Sequence, residues 1–197
     1  MQLIFATNND HKIQEIRSVI GEGLVIKTLR EAGIDKDIPE PHDTLEANAR
    51  EKAMTIWEMT RTACFSEDTG LEVTALNGEP GVRSARYAGD GRSATANMEL
   101  LLTKLSDQPD RSARFRTVIS LIIDGRETQF EGICPGKIIA APRGSKGFGY
   151  DPIFVPDGAD KTFAEMDIRE KNAFSHREKA TRKLVAFLNN LTTNSKN

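Results

Sequence analysis

Cysteine is nearly absent from this chain. Cys64 and Cys134 are its only two. Both lie in apolar segments, so a disulfide framework is excluded and reduced, buried thiols are expected, as in a cytoplasmic protein. Histidine is scarce too, at three residues, and no Cys/His spacing suits a zinc centre. Aromatic residues make up 6% and the net charge is −2. A chain so poor in aromatics and slightly acidic carries no broad basic field with stacking platforms, so nucleic acid is not an expected partner. No long hydrophobic run occurs. The N-terminal run Leu3-Ile4-Phe5-Ala6 is far too short for a signal peptide or a membrane span, so no membrane partner is expected. Internal repeats are missing, as are the glycine patterns of Walker and dinucleotide loops.

What remains is ordinary for a globular protein of 197 residues, with 38% hydrophobic and 28% charged side chains. Leu3–Ala6 reads as a strand buried on both faces. Ile13, Ile16, Val19 and Ile20 recur at helical spacing, and Gly21 and Gly23 stop that helix. A second strand is expected over 24–29. Asp43-Thr44-Leu45-Glu46 reads as a capping box that opens a second helix. Strands are expected at 63–66 and 71–76, separated by an acidic turn, and a helix at 93–105. The Gly- and Arg-rich stretch Asn77–Arg92, between the strand expected at 71–76 and the helix expected at 93–105, reads as a loop. Segments 114–123 and 128–139 read as strands of a hairpin closed by Asp124-Gly125. A short strand follows at 152–155. Ser175, with Glu178 three residues on, caps a final helix, and a polar tail at 189–197 is expected to fray. The alternation predicts an α/β protein with a mixed sheet.

Several segments carry chemistry. Glu67 and Asp68 stand side by side after an apolar strand. Charges there are costly unless they meet a cation or water, which points to a divalent metal or a catalytic water. Lys12, Lys52, Lys171 and Arg177 supply the opposite sign. Thr7-Asn8-Asn9-Asp10-His11-Lys12 joins a buried strand to a helix. Backbone N–H groups, amides and a lysine at such an end attract phosphate, although a plain Asn- or Asp-capped loop gives the same pattern. Asn48 and Lys52 share a helix face behind Glu40, which two prolines stiffen. In Gly147-Phe148-Gly149-Tyr150-Asp151 the ring of Phe148 can stack on a base and Asp151 can accept from ring N–H groups. Arg177 lies in the first turn of the last helix, where the dipole disfavours a cation, so an anionic or carbonyl-bearing ligand is expected to hold it.

Taken in order, these pieces resemble the inosine triphosphate pyrophosphatases. The resemblance rests on Ala6–Lys12, residues 44–53, Glu67-Asp68-Thr69-Gly70-Leu71, residues 80–87, Gly147–Pro152 and Glu170–Arg177, and runs nearly end to end. It implies one two-lobed domain over residues 1–197. The lobes would flank a nucleotide-binding cleft on a long twisted mixed sheet, and the usual state would be a homodimer. It implies hydrolysis of ITP, dITP and XTP to the monophosphate and pyrophosphate with Mg²⁺. By the same resemblance, Thr7, Asn8, Asn9, Asp10, His11 and Lys12 would hold the triphosphate and Lys52 would contact its phosphates. Glu40 and Asp68 would bind Mg²⁺, and Asp68 would act as general base. Thr69 would touch the nucleotide, while Phe148, Gly149, Tyr150, Asp151, Lys171, His176 and Arg177 would form the base pocket. The chain departs from many relatives at Asn8, where glycine is common, at Leu45, where phenylalanine is, and at Glu67-Asp68-Thr69, where bacterial relatives often carry two aspartates and a serine. Two other readings stand beside this one: a Maf-like pyrophosphatase acting on modified pyrimidine or methylated nucleotides, and a nucleotide sensor without catalysis. A substrate panel and pyrophosphate detection separate the three.

Overall fold

The structure is a computed structural model that describes residues 1–21 and 23–194. Its elements in chain order are β1 (Gln2–Phe5), α1 (Asp10–Val19), β2 (Val25–Thr28), α2 (Leu45–Thr60), β3 (Cys64–Val73), β4 (Pro80–Gly81), α3 (Ala94–Lys104), β5 (Ser112–Ile123), β6 (Arg126–Ile138), β7 (Phe154–Pro156), α4 (Ile168–Asn172) and α5 (His176–Asn194). Hydrogen-bonded strands follow the order β2-β1-β3-β5-β6-β7, with β4 beside β3. β1 runs parallel to β2 and β3, whereas β3–β4 and β6–β7 are antiparallel. The expected α/β class with a mixed sheet is borne out.

The chain divides into two units, Met1–Asp68 with Thr117–Gly132 and Arg177–Asn197, and Thr69–Arg116 with Ile133–His176. In the first, the continuous apolar run of β1 supplies both faces of the sheet, as a strand buried on two sides must. Leu3 and Phe5 join Ile13, Ile16, Phe65, Ala180 and Leu184 under α1 and α5. Ile4 and Ala6 join Ala53, Ile56 and Cys64 under α2. Phe5 and Phe65 stack with ring centroids 4.5 Å apart. Asp124 and Gly125, with φ of 49° and 75°, close the β5–β6 hairpin in the left-handed conformation their sequence favours. The second unit packs Leu71, Val73, Leu101, Leu105, Phe115, Phe154 and Phe163 into its own core.

Four expectations change. The strands expected at 63–66 and 71–76 are one strand, β3, that runs through the acidic pair and Gly70 without a turn. The cap of α2 is Thr44, whose hydroxyl accepts from the Ala47 N–H at 3.2 Å; position 47 has no carboxylate to reciprocate, so the capping box centred on Asp43 does not form. α5 continues through 189–194, where fraying was expected, and 195–197 lie outside the described residues. The stretch 77–92, expected as a loop, contains β4 and a 3₁₀ turn at Ser84–Arg86.

Gly70 explains how β3 passes its own midpoint. A Cβ on Gly70 would lie 2.6 Å from the carbonyl oxygen of Gly81. That oxygen accepts from the Ser84 hydroxyl at 2.6 Å, and the same hydroxyl accepts from the Leu71 N–H at 2.8 Å. The neighbour is therefore pinned backbone and cannot retreat. Gly70→Ala is expected to lower stability by about 1–3 kcal/mol through overpacking, read as a lower urea midpoint with an unchanged denaturant slope.

Candidate functional site

Alternation along β3 decides what each acid meets. Successive side chains of a strand point to opposite faces. Cys64, Ser66 and Asp68 turn toward α2: the Cys64 thiol donates to the Ala53 carbonyl at 3.2 Å, the Ser66 hydroxyl donates to the Ala49 carbonyl, and Asp68 accepts from Asn48. Phe65 and Glu67 turn toward α1 and α5. The adjacent carboxylates thus do not form a pair. They serve separate clusters on the two sides of the first unit's sheet.

Glu67 is fully buried. Its Oε1 lies 2.7 Å from Lys12 Nζ, and its Oε2 accepts from Arg177 Nε at 3.0 Å. Arg177 Nη1 holds Glu15 on α1. Two carboxylates and two cations balance, which is the condition for ion pairs to persist out of water. Burial alone would raise the Glu67 pKa, but Arg177 and Lys12 overcome it and hold the carboxyl well below its usual range. Arg177 responds in kind. Burial works against its charge, yet Glu67 and Glu15 keep it firmly protonated.

This cluster gives Arg177 partners inside the protein, where a ligand was expected to hold it. Its side chain is 2% exposed and gripped by carboxylates on two sides, so it anchors Glu67 and Glu15. Glu15 was missed from the sequence. The available signal was a carboxylate set between Ile13 and Ile16 on the apolar side of α1, where an unpartnered charge is rarely tolerated. Lys12 is the member that reaches outward, with 18% of its side chain exposed.

On the other side of β3, Lys52 Nζ donates to Glu40, donates to the Glu67 carbonyl at 2.8 Å, and lies 3.8 Å from Asp68 Oδ1. Lys52 was expected on a phosphate; here it joins the two carboxylates expected to hold Mg²⁺. Burial pushes the Asp68 carboxyl up from its ordinary value; Lys52 pulls it down, and Glu40 adds to the rise. Glu40 and Asp68 therefore converge on one cationic position with hard oxygen donors. Among the described residues no group of three or more His, Cys, Asp or Glu side chains gathers. Two carboxylates nevertheless suit Mg²⁺, which keeps waters and takes its remaining ligands from phosphate oxygens.

The Thr7–Lys12 loop caps α1. Asn9 Oδ1 accepts from the N–H groups of His11 and Lys12 at 3.1 and 3.2 Å, and Thr7 Oγ1 accepts from the Asn9 N–H at 3.2 Å. Asn8 Oδ1 accepts from the Arg30 N–H. Two of the helix-end donors expected to face phosphate are thus already bound by Asn9. Asn8, Asn9, Asp10 and His11 are exposed.

In the second unit Asp151 and Lys171 form a buried pair at 2.7 Å. The same Asp151 oxygen accepts from the Phe148 N–H at 2.9 Å. Lys171 Nζ also sits 5.3 Å from the centre of the Phe148 ring. The structure brings Phe148, Asp151 and Lys171 together as expected, but this oxygen of Asp151 serves the protein itself. Gly147 is required there, since a Cβ would fall 2.1 Å from that oxygen at φ +70°. Tyr150 leaves the expected pocket: it is 4% exposed and its hydroxyl donates to the Ser84 carbonyl at 2.8 Å, so it is a core residue. His176 is buried as well, stacked on Phe115 with centroids 4.7 Å apart. Thr69, half-buried, opens this unit on β3, and Gly149 takes φ +60°.

Comparison with known proteins adds an independent line. A model of the Ham1 family matches residues 3–187. The chain is 49% identical over 190 residues to a dITP/XTP pyrophosphatase of Flavobacterium psychrophilum, a match covering 96% of this chain and 100% of the relative. A dITP/XTP pyrophosphatase of Porphyromonas gingivalis is 50% identical over 188 residues, with coverage of 95% and 97%. Among solved structures, the Ham1 protein of Staphylococcus aureus superposes with a TM-score of 0.87 at 39% identity, covering 96% of this chain and 99% of that one. A HAM1 protein from Coxiella burnetii gives 0.88 at 35% identity, with coverage of 96% and 99%.

Proposed function

The chain belongs to the Ham1 family, and on that footing we propose that it hydrolyses the non-standard purine triphosphates ITP, dITP and XTP to the monophosphate and pyrophosphate. The observation that carries this reading is the convergence of Glu40, Lys52 and Asp68, with Lys12, partly exposed in the neighbouring cluster, near enough to act on the charge of Asp68. A triphosphate repels attack by water because it carries about four negative charges. Lys12, fixed by Glu67, offsets charge on the phosphate chain. Glu40 and Asp68 would hold Mg²⁺, which when bound supplies Lewis-acid stabilisation of the phosphate oxygens. Asp68 orients a water toward the α-phosphorus and accepts its proton, since the product pair requires cleavage at that link. Lys52 keeps the two carboxylates together until substrate and metal are in place.

The base falls to Phe148 and its neighbours in the second unit. Hypoxanthine and xanthine present O6 as acceptor and N1–H as donor, and adenine reverses both. A site built for one edge rejects the other by about 10⁴–10⁵-fold. Donors to O6 are expected from His176, Arg177 and backbone N–H groups. A sensor without catalysis gains nothing from a buried carboxylate beside phosphate, which favours the enzyme.

Pyrophosphate release from ITP, dITP, XTP and ATP in Mg²⁺ tests the reading. The expected result is turnover of the first three and at least 10³-fold lower kcat/KM for ATP, an order set by edge matching. Equal rates for ATP and ITP, or activity confined to modified pyrimidine nucleotides, would overturn it. No helix among the described residues is long and apolar enough to cross a membrane. The buried free thiols of Cys64 and Cys134 accord with a reducing compartment. We place the protein in the cytoplasm, as a homodimer in keeping with the resemblance noted above.

A further inference from the structure

Asn48 has no part in the chemistry so far, yet it is completely buried in the first turn of α2. Its amide points three ways. Oδ1 accepts from the His42 N–H at 2.9 Å; Nδ2 donates to the His42 carbonyl at 3.2 Å and to Asp68 Oδ2 at 3.2 Å. Only one orientation of the amide satisfies all of them, because a flip would set its oxygen against a carbonyl and a carboxylate. The side chain thereby acts as a strand partner for the backbone two residues beyond Glu40, while its second N–H fixes one oxygen of Asp68. Pro39 and Pro41 flank Glu40 and stiffen the connection, so pinning His42 also limits Glu40. The remaining oxygen of Asp68, Oδ1, is the one that faces Lys52.

We propose that Asn48 is a positioning residue which locks the Glu40 loop to Asp68, so that the two carboxylates meet metal and water in one fixed geometry. The proposal rests on the reading of Glu40 and Asp68 given above. No other residue type does the same work. Aspartate lacks both donors and would set a second carboxylate against Asp68, leucine lacks every bond, and glutamine carries an extra methylene in a close-packed site.

The test is Asn48→Leu, with helix content by circular dichroism, Mn²⁺ binding by electron paramagnetic resonance in protein saturated with α,β-methylene-ITP, and kcat and KM for ITP. The variant is expected to fold, to bind Mn²⁺ about tenfold more weakly and to lose about 10²-fold in kcat, as a misplacement of about 1 Å does. KM is expected to move less than about threefold, since the phosphate and base contacts are elsewhere. A folded variant with unchanged kcat and Mn²⁺ affinity overturns the proposal, as does a loss of stability alone. If the leucine variant does not fold, Asn48→Gln carries the same measurements; failure of both to fold assigns Asn48 to the fold and likewise overturns it. Glu40→Gln serves as the separate control. If it leaves Mn²⁺ binding and turnover intact, the site reading falls, whatever Asn48 does.

Discussion

Asp68→Asn is expected to keep the fold and lose about 10²–10⁴-fold of its turnover, the range contributed by a positioned general base. Two features of the structure make this a clean experiment. Burial raises the Asp68 pKa from its ordinary value of 3.8, so the folded protein holds the ionised form less readily than the unfolded chain does. A carboxyl with a raised pKa costs stability above that pKa and regains it as pH falls. Removing the charge is therefore expected to leave the melting temperature at neutral pH unchanged or slightly higher. Asn48 can still donate to the new amide oxygen, so the hydrogen bond at this position has a partner. Turnover of the asparagine variant within twofold of wild type, with pyrophosphate as the readout, removes Asp68 from the mechanism.

Arg177→Met is expected to be the most damaging single change to stability, at about 3–5 kcal/mol, the usual result of leaving buried charges without their partner. Glu67 would lose one of its two cations, and Glu15 would lose the guanidinium that holds it. The dependence on pH follows from Glu67, whose pKa in the folded protein is held below its ordinary 4.5, against burial, by Arg177 and Lys12. A lowered carboxyl pKa contributes stability that is complete above the unfolded value and fades as pH falls toward the folded one. The gap between wild type and Arg177→Met is therefore expected to be widest at neutral pH and to narrow below about pH 4.5, the ordinary glutamate range. Urea midpoints at pH 7 and pH 4 measure it. A gap that is the same at both values, or a variant as stable as wild type, would show that the Glu15–Arg177–Glu67 cluster does not carry the load assigned to it. Adding Glu15→Gln to Arg177→Met should recover part of the loss, because one of the stranded charges is then gone.

Much of this was legible in the sequence where local rules suffice. The run Leu3–Ala6 could only be a strand buried on both faces, and β1 feeds the two apolar layers of its unit with alternate residues. The spacing of Ile13 and Ile16 fixed which side of α1 faces inward. Asp124-Gly125 closed the one hairpin its chemistry demands. The ordered motifs single out Lys12, Glu40, Lys52 and Asp68 by residue type and spacing alone. Phe148, Asp151 and Lys171 were also read together. Where residues near in sequence compete for a conformation, propensity and turn chemistry decide, and these are properties of the chain alone.

The tertiary structure alone decided which charge meets which. Arg177 finds Glu67 across 110 positions and Glu15 across 162, and no spacing rule links residues so distant. The sequence therefore showed neither carboxylate partner of Arg177. It likewise read Glu67-Asp68 as a paired acidic turn. A turn is the natural inference when two carboxylates and a glycine follow an apolar run, since the cost of burying them is evident and the compensation is not. The compensation comes from α1, α2 and α5, each bringing its cation or amide to one face of β3. With those in place the strand runs straight through, and its pleat sends the neighbouring acids in opposite directions. A sequence specifies what each residue can do; long-range packing selects which of those possibilities is stable, because only it settles whether a buried charge has a partner.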